Sequence, residues 1–375
     1  MLKELDGLTQ PIIDIYNAIE LDLIEEIARR FDTYDKIGGT LEWQIKKLEE
    51  LGALTAQTVK IIAKYSKREE TEIKAMLDEA GFANLPMATL KTAYKGGLIS
   101  VDPEKMLESP VIAATIEDSY KELSKAYKLI KTKAVESAKQ AYMDVLNRAY
   151  IEVSSGVYDY NTSISKAIQR MATNGISGAT YKRGDTVVKY SIEGTVRRDT
   201  MTAVNQLSNA IAFKSAETMG AEYVEISSHL GARISETNPI ANHAGWQGKI
   251  FKIHGFDRNY GNLKTNTGYP DDILGLGGVN CRHRMFPFFP GISIPNPIQY
   301  DPVENEKAYK LSQQQRAKER KIRQIQKKIV AAEAANDTET AKQLKKGLRK
   351  QRIEMGEWCK ENGVTRQPER EIIQR

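Results

Sequence analysis

The chain has 375 residues, more than a single hydrophobic core usually organises, so two or three domains are expected. Hydrophobic residues make up 41% and charged residues 28%, a globular balance that excludes wholesale disorder. Apolar runs such as residues 111–116 are far too short to cross a bilayer, so no membrane is expected.

The net charge of +6 hides an asymmetry. Residues 304–352 hold fifteen Lys/Arg and six Asp/Glu, a local net of +9 that leaves the remainder at −3. That placement predicts a local acidic partner, nucleic acid or an acidic protein surface, more than a generally basic fold. The opening MLKELDGLTQPIID has no apolar core of a signal peptide, so folding in a cytosol is implied. Two cysteines, Cys281 and Cys359, lie in segments of different character, and no disulfide framework is expected.

In the first hundred residues, Ile15, Ile19, Leu23, Ile27 and Phe31 recur every four positions and predict a helix stopped by Gly38-Gly39. A second helix carries Leu41, Ile45 and Leu48 on one face, with Thr40 as its cap and Gly52 past its end. Ser66 and Glu69 have capping-box spacing ahead of Ile73 and Leu77, and Gly81 closes that unit. Ser109-Pro110 starts a long element, because proline in the first helical turn loses no hydrogen bond. From 111 to 153 there is no Gly or Pro, and Tyr120, Leu123, Tyr127, Ile130, Tyr142, Leu146 and Tyr150 keep helical spacing. One more short helix, 164–171, ends near Gly175. Residues 1–175 therefore read as a helical domain.

After Gly175 the character changes. Between Gly178 and 192, Thr186, Val187, Val188, Tyr190 and Ile192 are strand formers, flanked by Gly184. A helix over 197–219 follows, with Val204, Leu207, Ala210 and Ile211 on a face, and 222–228 alternates like a strand. Residues 230–297 are rich in Gly, Pro, Asn and aromatics, with strand candidates at 249–253 and 285–289. Residues 176–300 thus predict a compact α+β domain with long loops. Residues 301–375 predict a basic helical hairpin, from the Ile322, Ile325, Ile329 stripe, a turn at Asn336-Asp337 and a resumed stripe at Leu344 and Leu348. A frayed tail is expected from about Gln367.

The most specific stretch is GLGGVNCRHRMFPFFPGIS at 275–293, joined by VEISSHLGAR at 224–233 and HAGWQGKIF at 243–251. With the helix opening Arg197-Arg198-Asp199-Thr200, these motifs resemble the phage minor capsid protein 2 family over roughly 195–293. The family is also similar to Mu F-like head-morphogenesis proteins, in which an Asn-Cys-Arg-Cys-like element recurs; here His283 stands in place of the second cysteine. What the resemblance implies is an α+β fold whose central domain is a small, ADP-ribosyltransferase-like split sheet. It also implies a structural role in the phage head, with assembly in the host cytoplasm. The motif residues that carry it are Arg198, Ser228, His229, Arg233, His243, Trp246, Asn280, Cys281, Arg282 and His283.

Three sharper chemistries compete with plain architecture. Cys281 and His283, with His229, His243 or His254, have the donor types of a zinc site, but no second closely spaced ligand pair exists. The alternative is that these groups make buried hydrogen bonds that organise a Gly-rich loop, and no cofactor is expected. A thiol nucleophile is the second, with Arg282 and Arg284 beside Cys281 as groups that would depress its pKa. The third, mono-ADP-ribosyl transfer, would use Arg198 and Ser227-Ser228. It lacks the Glu-X-Glu or Gln-X-Glu pair, because only Glu236, Asp257, Asp271 and Asp272 lie between 231 and 298. Arg198 and Arg233 are expected to pair with carboxylates such as Asp199 or Glu225, and Trp246, Phe286, Phe288 and Phe289 to anchor a core or an interface.

The expected partners are portal, major capsid or scaffold proteins, and duplex DNA met through the hairpin's phosphate-binding cations. Those cations are Arg316, Lys318, Arg320, Lys321, Arg323, Lys327, Lys328, Lys345, Lys346, Arg349 and Lys350.

Overall fold

The computed structural model describes residues 2–31, 40–83, 85–183, 186–296 and 298–374. Gly38, Gly39, Gly184 and Pro297 lie outside them, as do the side chains of Thr40 and Leu41. The elements run α1 (Leu2–Arg29), α2 (Thr40–Phe82), α3 (Met87–Lys95), α4 (Pro103–Leu107), α5 (Pro110–Ser154), α6 (Tyr160–Asn174), β1 (Ser177–Arg183), β2 (Thr186–Ser191) and α7 (Ile192–Thr218). They continue β3 (Tyr223–Ile226), α8 (His243–Trp246), β4 (Ile250–Lys252), β5 (Gly261–Asn262), α9 (Leu263–Thr267), β6 (Met285–Phe288), α10 (Pro302–Ala334) and α11 (Thr338–Glu361). The architecture is helical at both ends around small central sheets, and no described helix is long and apolar enough to cross a membrane.

Packing divides the chain into two compact units, each assembled from three separated stretches. One comprises residues 1–10, 71–125 and 198–313, and the other 11–70, 126–197 and 314–375.

In the second unit α1 is a core helix. The predicted stripe from Ile15 to Phe31 is buried, and so are Ile12 and Ile13 ahead of it and Ile24 between its members. Tyr16 packs on Tyr127 at 5.1 Å and Phe31 on Tyr142 at 4.7 Å between ring centroids.

The expected second and third helices are corrected to one. α2 runs unbroken for 43 residues through Gly52, and Ser66 donates back to the Ile62 carbonyl within the helix instead of capping a new one. The face predicted from Ile45 and Leu48 is the exposed one, at 50% and 42%. The buried line runs instead through Trp43, Lys47, Leu54, Thr58, Ile61 and Tyr65. A local apolar triplet fits either side of a helix, and only the neighbour decides which side is covered.

Glu20, fully buried on α1, holds the unit's centre. Its carboxylate accepts from the backbone N–H of Ile176 at 3.0 Å and of Glu193 at 3.2 Å, and ion-pairs with Lys327 at 3.0 Å. Gly175, at φ +70°, is needed here, since a Cβ would fall 2.2 Å from that carboxylate. β1 and β2 form an antiparallel hairpin with its register slipped near Ser177. Ser191 then caps α7 by accepting from Gly194 N at 3.2 Å, so this helix starts at Ile192, before the predicted Arg197.

The predicted basic hairpin forms. Asp337 caps α11 through Thr340 N at 3.1 Å, and Ile322, Met355 and Cys359 make a small core with Leu348 and Trp358. Arg323 and Lys327 do not face outward: at 5% and 4% exposure they are spent on Glu193 and Glu20 inside the unit. Arg320, Lys321, Lys345, Lys346, Arg349 and Lys350 are exposed, and Arg316, Lys318 and Lys328 are half-buried. The tail is also corrected. Glu371, 2% exposed, takes a bidentate pair from Arg366 at 2.6 Å, and the Arg370 carbonyl accepts from Arg323, so the chain stays packed past Gln367.

In the first unit the sheet order is β5-β4-β3-β6, with β3 antiparallel to both β4 and β6 and β4 parallel to β5. Pro287 sits in β6, an edge strand, where its missing N–H costs no ladder bond. α7 presents Val204, Leu207 and Ile211 to the interior, and Asn205, Ser208 and Asn209 beside them are equally buried.

Candidate functional site: a buried histidine and cysteine cluster

The long connections between β3 and β6 bring His229, His243, Trp246, Gln247, Cys281 and His283 together. The His229 ring stacks on His283 at 4.3 Å, and Trp246 and His243 approach His283 edge-on at 4.8 and 5.3 Å. The Cys281 Sγ lies 3.7 Å from His283 Nδ1. His243, Cys281 and His283 are all buried, with one ligand atom of each within 4.8 Å of the others.

Hydrogen bonds determine the tautomers. The backbone N–H of His229 donates to Gln247 Oε1 at 2.9 Å, so this oxygen is an acceptor, and His283 Nε2, 3.1 Å away, must carry the proton it offers. The lone pair of His283 is then on Nδ1, facing the thiol. His243 Nε2 lies 2.8 Å from the Leu274 carbonyl and must likewise donate, which leaves its Nδ1 lone pair available.

Burial holds both imidazoles neutral. It lowers His243 to about 4 and pushes His283 well below the usual histidine range, where the His229 and His243 rings and Arg233 add to the effect. Burial raises the Cys281 thiol, against the pull of backbone donors at His283 and Gly277. Neither Arg282 nor Arg284 contributes to lowering it, so burial opposes the thiolate that the sequence suggested they would favour.

The loop carrying the cluster is clamped from α7. Asn205 Nδ2 donates to the Cys281 carbonyl and Asn209 Nδ2 to the His283 carbonyl, each at 3.1 Å, while Asn209 Oδ1 accepts from Met285 N at 2.8 Å. Asn280 sits at φ +59°, a left-handed turn that asparagine tolerates. At Gly275 a Cβ would come 2.1 Å from the Thr267 carbonyl, so only glycine lets these backbones meet.

The structure separates some expected partners. His254 is outside the cluster, exposed and 2.9 Å from Glu217. Contrary to expectation, Arg233 pairs with no carboxylate among the described residues; its guanidinium donates to the Leu274 and Val279 carbonyls at 3.2 and 2.9 Å. Glu225 instead accepts from Asn296 N at 2.5 Å. Arg198 does pair with Asp199, at 2.7 Å. Trp246, Phe288 and Phe289 are buried and Phe286 half-buried, as anchors should be. Gln247, Asn205 and Asn209 lie outside the expected site residues; the local signal for the asparagines is their four-residue spacing beside an apolar helix face.

The chain is 26% identical over 347 residues to a structural protein of Lactococcus phage LL-H, covering 88% of each, and 30% identical over 100 residues to a structural protein of Lactococcus phage mv4. The second match covers 26% of this chain and 81% of that one. Both relatives are phage structural proteins. More narrowly, the sequence model of the family described as phage minor capsid protein 2 matches residues 3–360, and the chain belongs to that family. It is a structural component of the phage head. No solved structure matches it.

Proposed function

We propose that this head protein is a non-catalytic platform that meets packaged duplex DNA through α11. In this reading residues 1–175 dock on the portal or shell, residues 176–300 form the platform and residues 301–375 carry the cationic surface. The observation that carries it is one exposed stripe of Lys342, Lys345, Lys346, Arg349 and Lys350 at helical spacing. Lys345 and Lys350 have acidic neighbours at 2.6 and 3.8 Å, exposed pairs that water screens and a phosphate can displace.

The platform's kinship is with the ADP-ribosyltransferase fold, supported by an arginine-bearing helix before a small mixed sheet. Its chemistry is not. The Arg198 fork is engaged by Asp199, Asp257 accepts from Asn259 N, Tyr260 N and the Tyr223 hydroxyl, Asp271 pairs with Lys264, and Asp272 accepts from Leu274 N.

The test replaces Lys345, Lys346, Arg349 and Lys350 together by Gln and measures binding to random-sequence duplex across salt concentrations. Each lost phosphate contact should flatten the log-log salt slope by about 0.9. An unchanged slope in a folded variant would redirect the stripe to an acidic portal or scaffold surface.

A further inference from the structure

We propose that His243, Cys281 and His283 form a zinc site within residues 198–313. Three observations converge on it. The first is geometric: the three donor atoms gather within 4.8 Å of one another, in the buried interior. A tetrahedral zinc with bonds of about 2.3 Å to sulfur and about 2.0 Å to nitrogen separates those ligands by roughly 3.6 Å. The Cys281 Sγ to His283 Nδ1 distance is 3.7 Å.

The second is the outer shell. A metal-ligating histidine donates its other ring N–H to a fixed acceptor, which orients the ring and sets the tautomer. Both histidines do this, His283 to Gln247 Oε1 and His243 to the Leu274 carbonyl. Gln247 is itself held by the His229 backbone N–H, and Arg233 grips the Leu274 carbonyl, so these acceptors are anchored in turn. The ligand loop is positioned before any metal arrives, because Asn205 and Asn209 hold the carbonyls of Cys281 and His283.

The third is an orphan. His229 Nε2 is buried, on the ring stacked against His283, and has no hydrogen-bond partner among the described residues. A buried polar atom without a partner signals a ligand or solvent molecule that completes it. The donor set of one sulfur and two imidazoles suits zinc and excludes calcium and magnesium, which require oxygen. On binding, zinc displaces the thiol proton that Cys281 directs at His283, and that proton leaves to solvent. The metal would then cross-link the segments around α8 to the 275–283 loop, in a stretch whose regular elements are only two to five residues long.

The full-length chain, expressed with zinc supplementation and dialysed against metal-free buffer, should retain one zinc per chain by elemental mass spectrometry. After removal of the metal with a chelator, titration with cobalt(II) should produce the charge-transfer band that only a thiolate ligand gives. Cys281→Ser should abolish that band and Cys359→Ser should keep it. His243→Ala and His283→Ala should each weaken zinc at least about tenfold in competition with a chromogenic chelator. These outcomes support the site. A wild-type chain that holds no zinc and gives no thiolate band with cobalt overturns it, whether or not the variants fold.

Discussion

Lys327 neutralises two buried carboxylates at once, at 3.0 Å from Glu20 and 3.6 Å from Glu193, while Arg323 takes Glu193 at 2.5 Å. Replacing Lys327 with Met keeps the bulk and removes the charge, leaving buried carboxylates short of a cation. Urea unfolding should show a loss on the order of 3–5 kcal/mol. Burial raises the Glu193 pKa, but Arg323, Lys327 and Arg197 outweigh it and hold the carboxyl at about 2. A carboxyl depressed from 4.5 to about 2 contributes stability that is complete above the higher value and lost as pH falls toward the lower. That acid limb should shrink in Lys327→Met, because one of the cations responsible is gone.

Glu319 has the opposite sign. Burial drives it up to about 7 against Arg323 and Arg197, and its Oε1 has no hydrogen-bond partner among the described residues. A raised carboxyl favours the folded state at low pH, and that contribution disappears as pH climbs from 4.5 through about 7. Glu319→Gln, neutral throughout, should therefore gain on the wild type by on the order of 2 kcal/mol between pH 5 and pH 8. A constant difference across that range would refute the assignment. At this scale the sequence showed which residues could be chemical, Cys281, His283 and His243 among them. It did not show that Arg323 and Lys327 point inward, because nothing near them in sequence announces Glu20 or Glu193.

Among the elements, the opening of α10 is tied to the 231–232 turn by one side chain. Asn305, 2% exposed, accepts from Gly231 N at 2.8 Å and Ala232 N at 2.9 Å and donates to the Ala232 carbonyl at 2.9 Å. Asn305→Ala strands two backbone donors, and a stability loss on the order of 2 kcal/mol is expected from denaturant titration. A loss within error of zero would mean that solvent replaces the side chain. Long helices were the most legible elements. The Ser109-Pro110 start of α5, the Asp337 turn before α11 and the Gly175 stop of α6 all stand where local chemistry put them. The breaks expected inside α2 failed for a physical reason: Gly52 costs a helix only about 1 kcal/mol, which tertiary packing along the rest of that helix overrides.

For the whole molecule, changes in sequence character near 175 and 300 coexist with packing units that interleave distant stretches. Residues 1–175 contain Glu20 but neither Lys327 nor the hairpin strands that follow Gly175. Excised, this segment should keep helical circular dichroism yet lack a cooperative thermal transition, and a sharp transition matching the intact chain would disprove the dependence. By itself the sequence determined the mixed class, the long helices, the basic hairpin and the family motifs, since each is written in periodicity, capping or contiguous residues. Tertiary structure alone decided which cations are buried, which face of α2 is covered and how His243 meets Cys281 and His283. Those outcomes depend on side chains tens to hundreds of positions apart, and a local pattern carries no record of its distant neighbour.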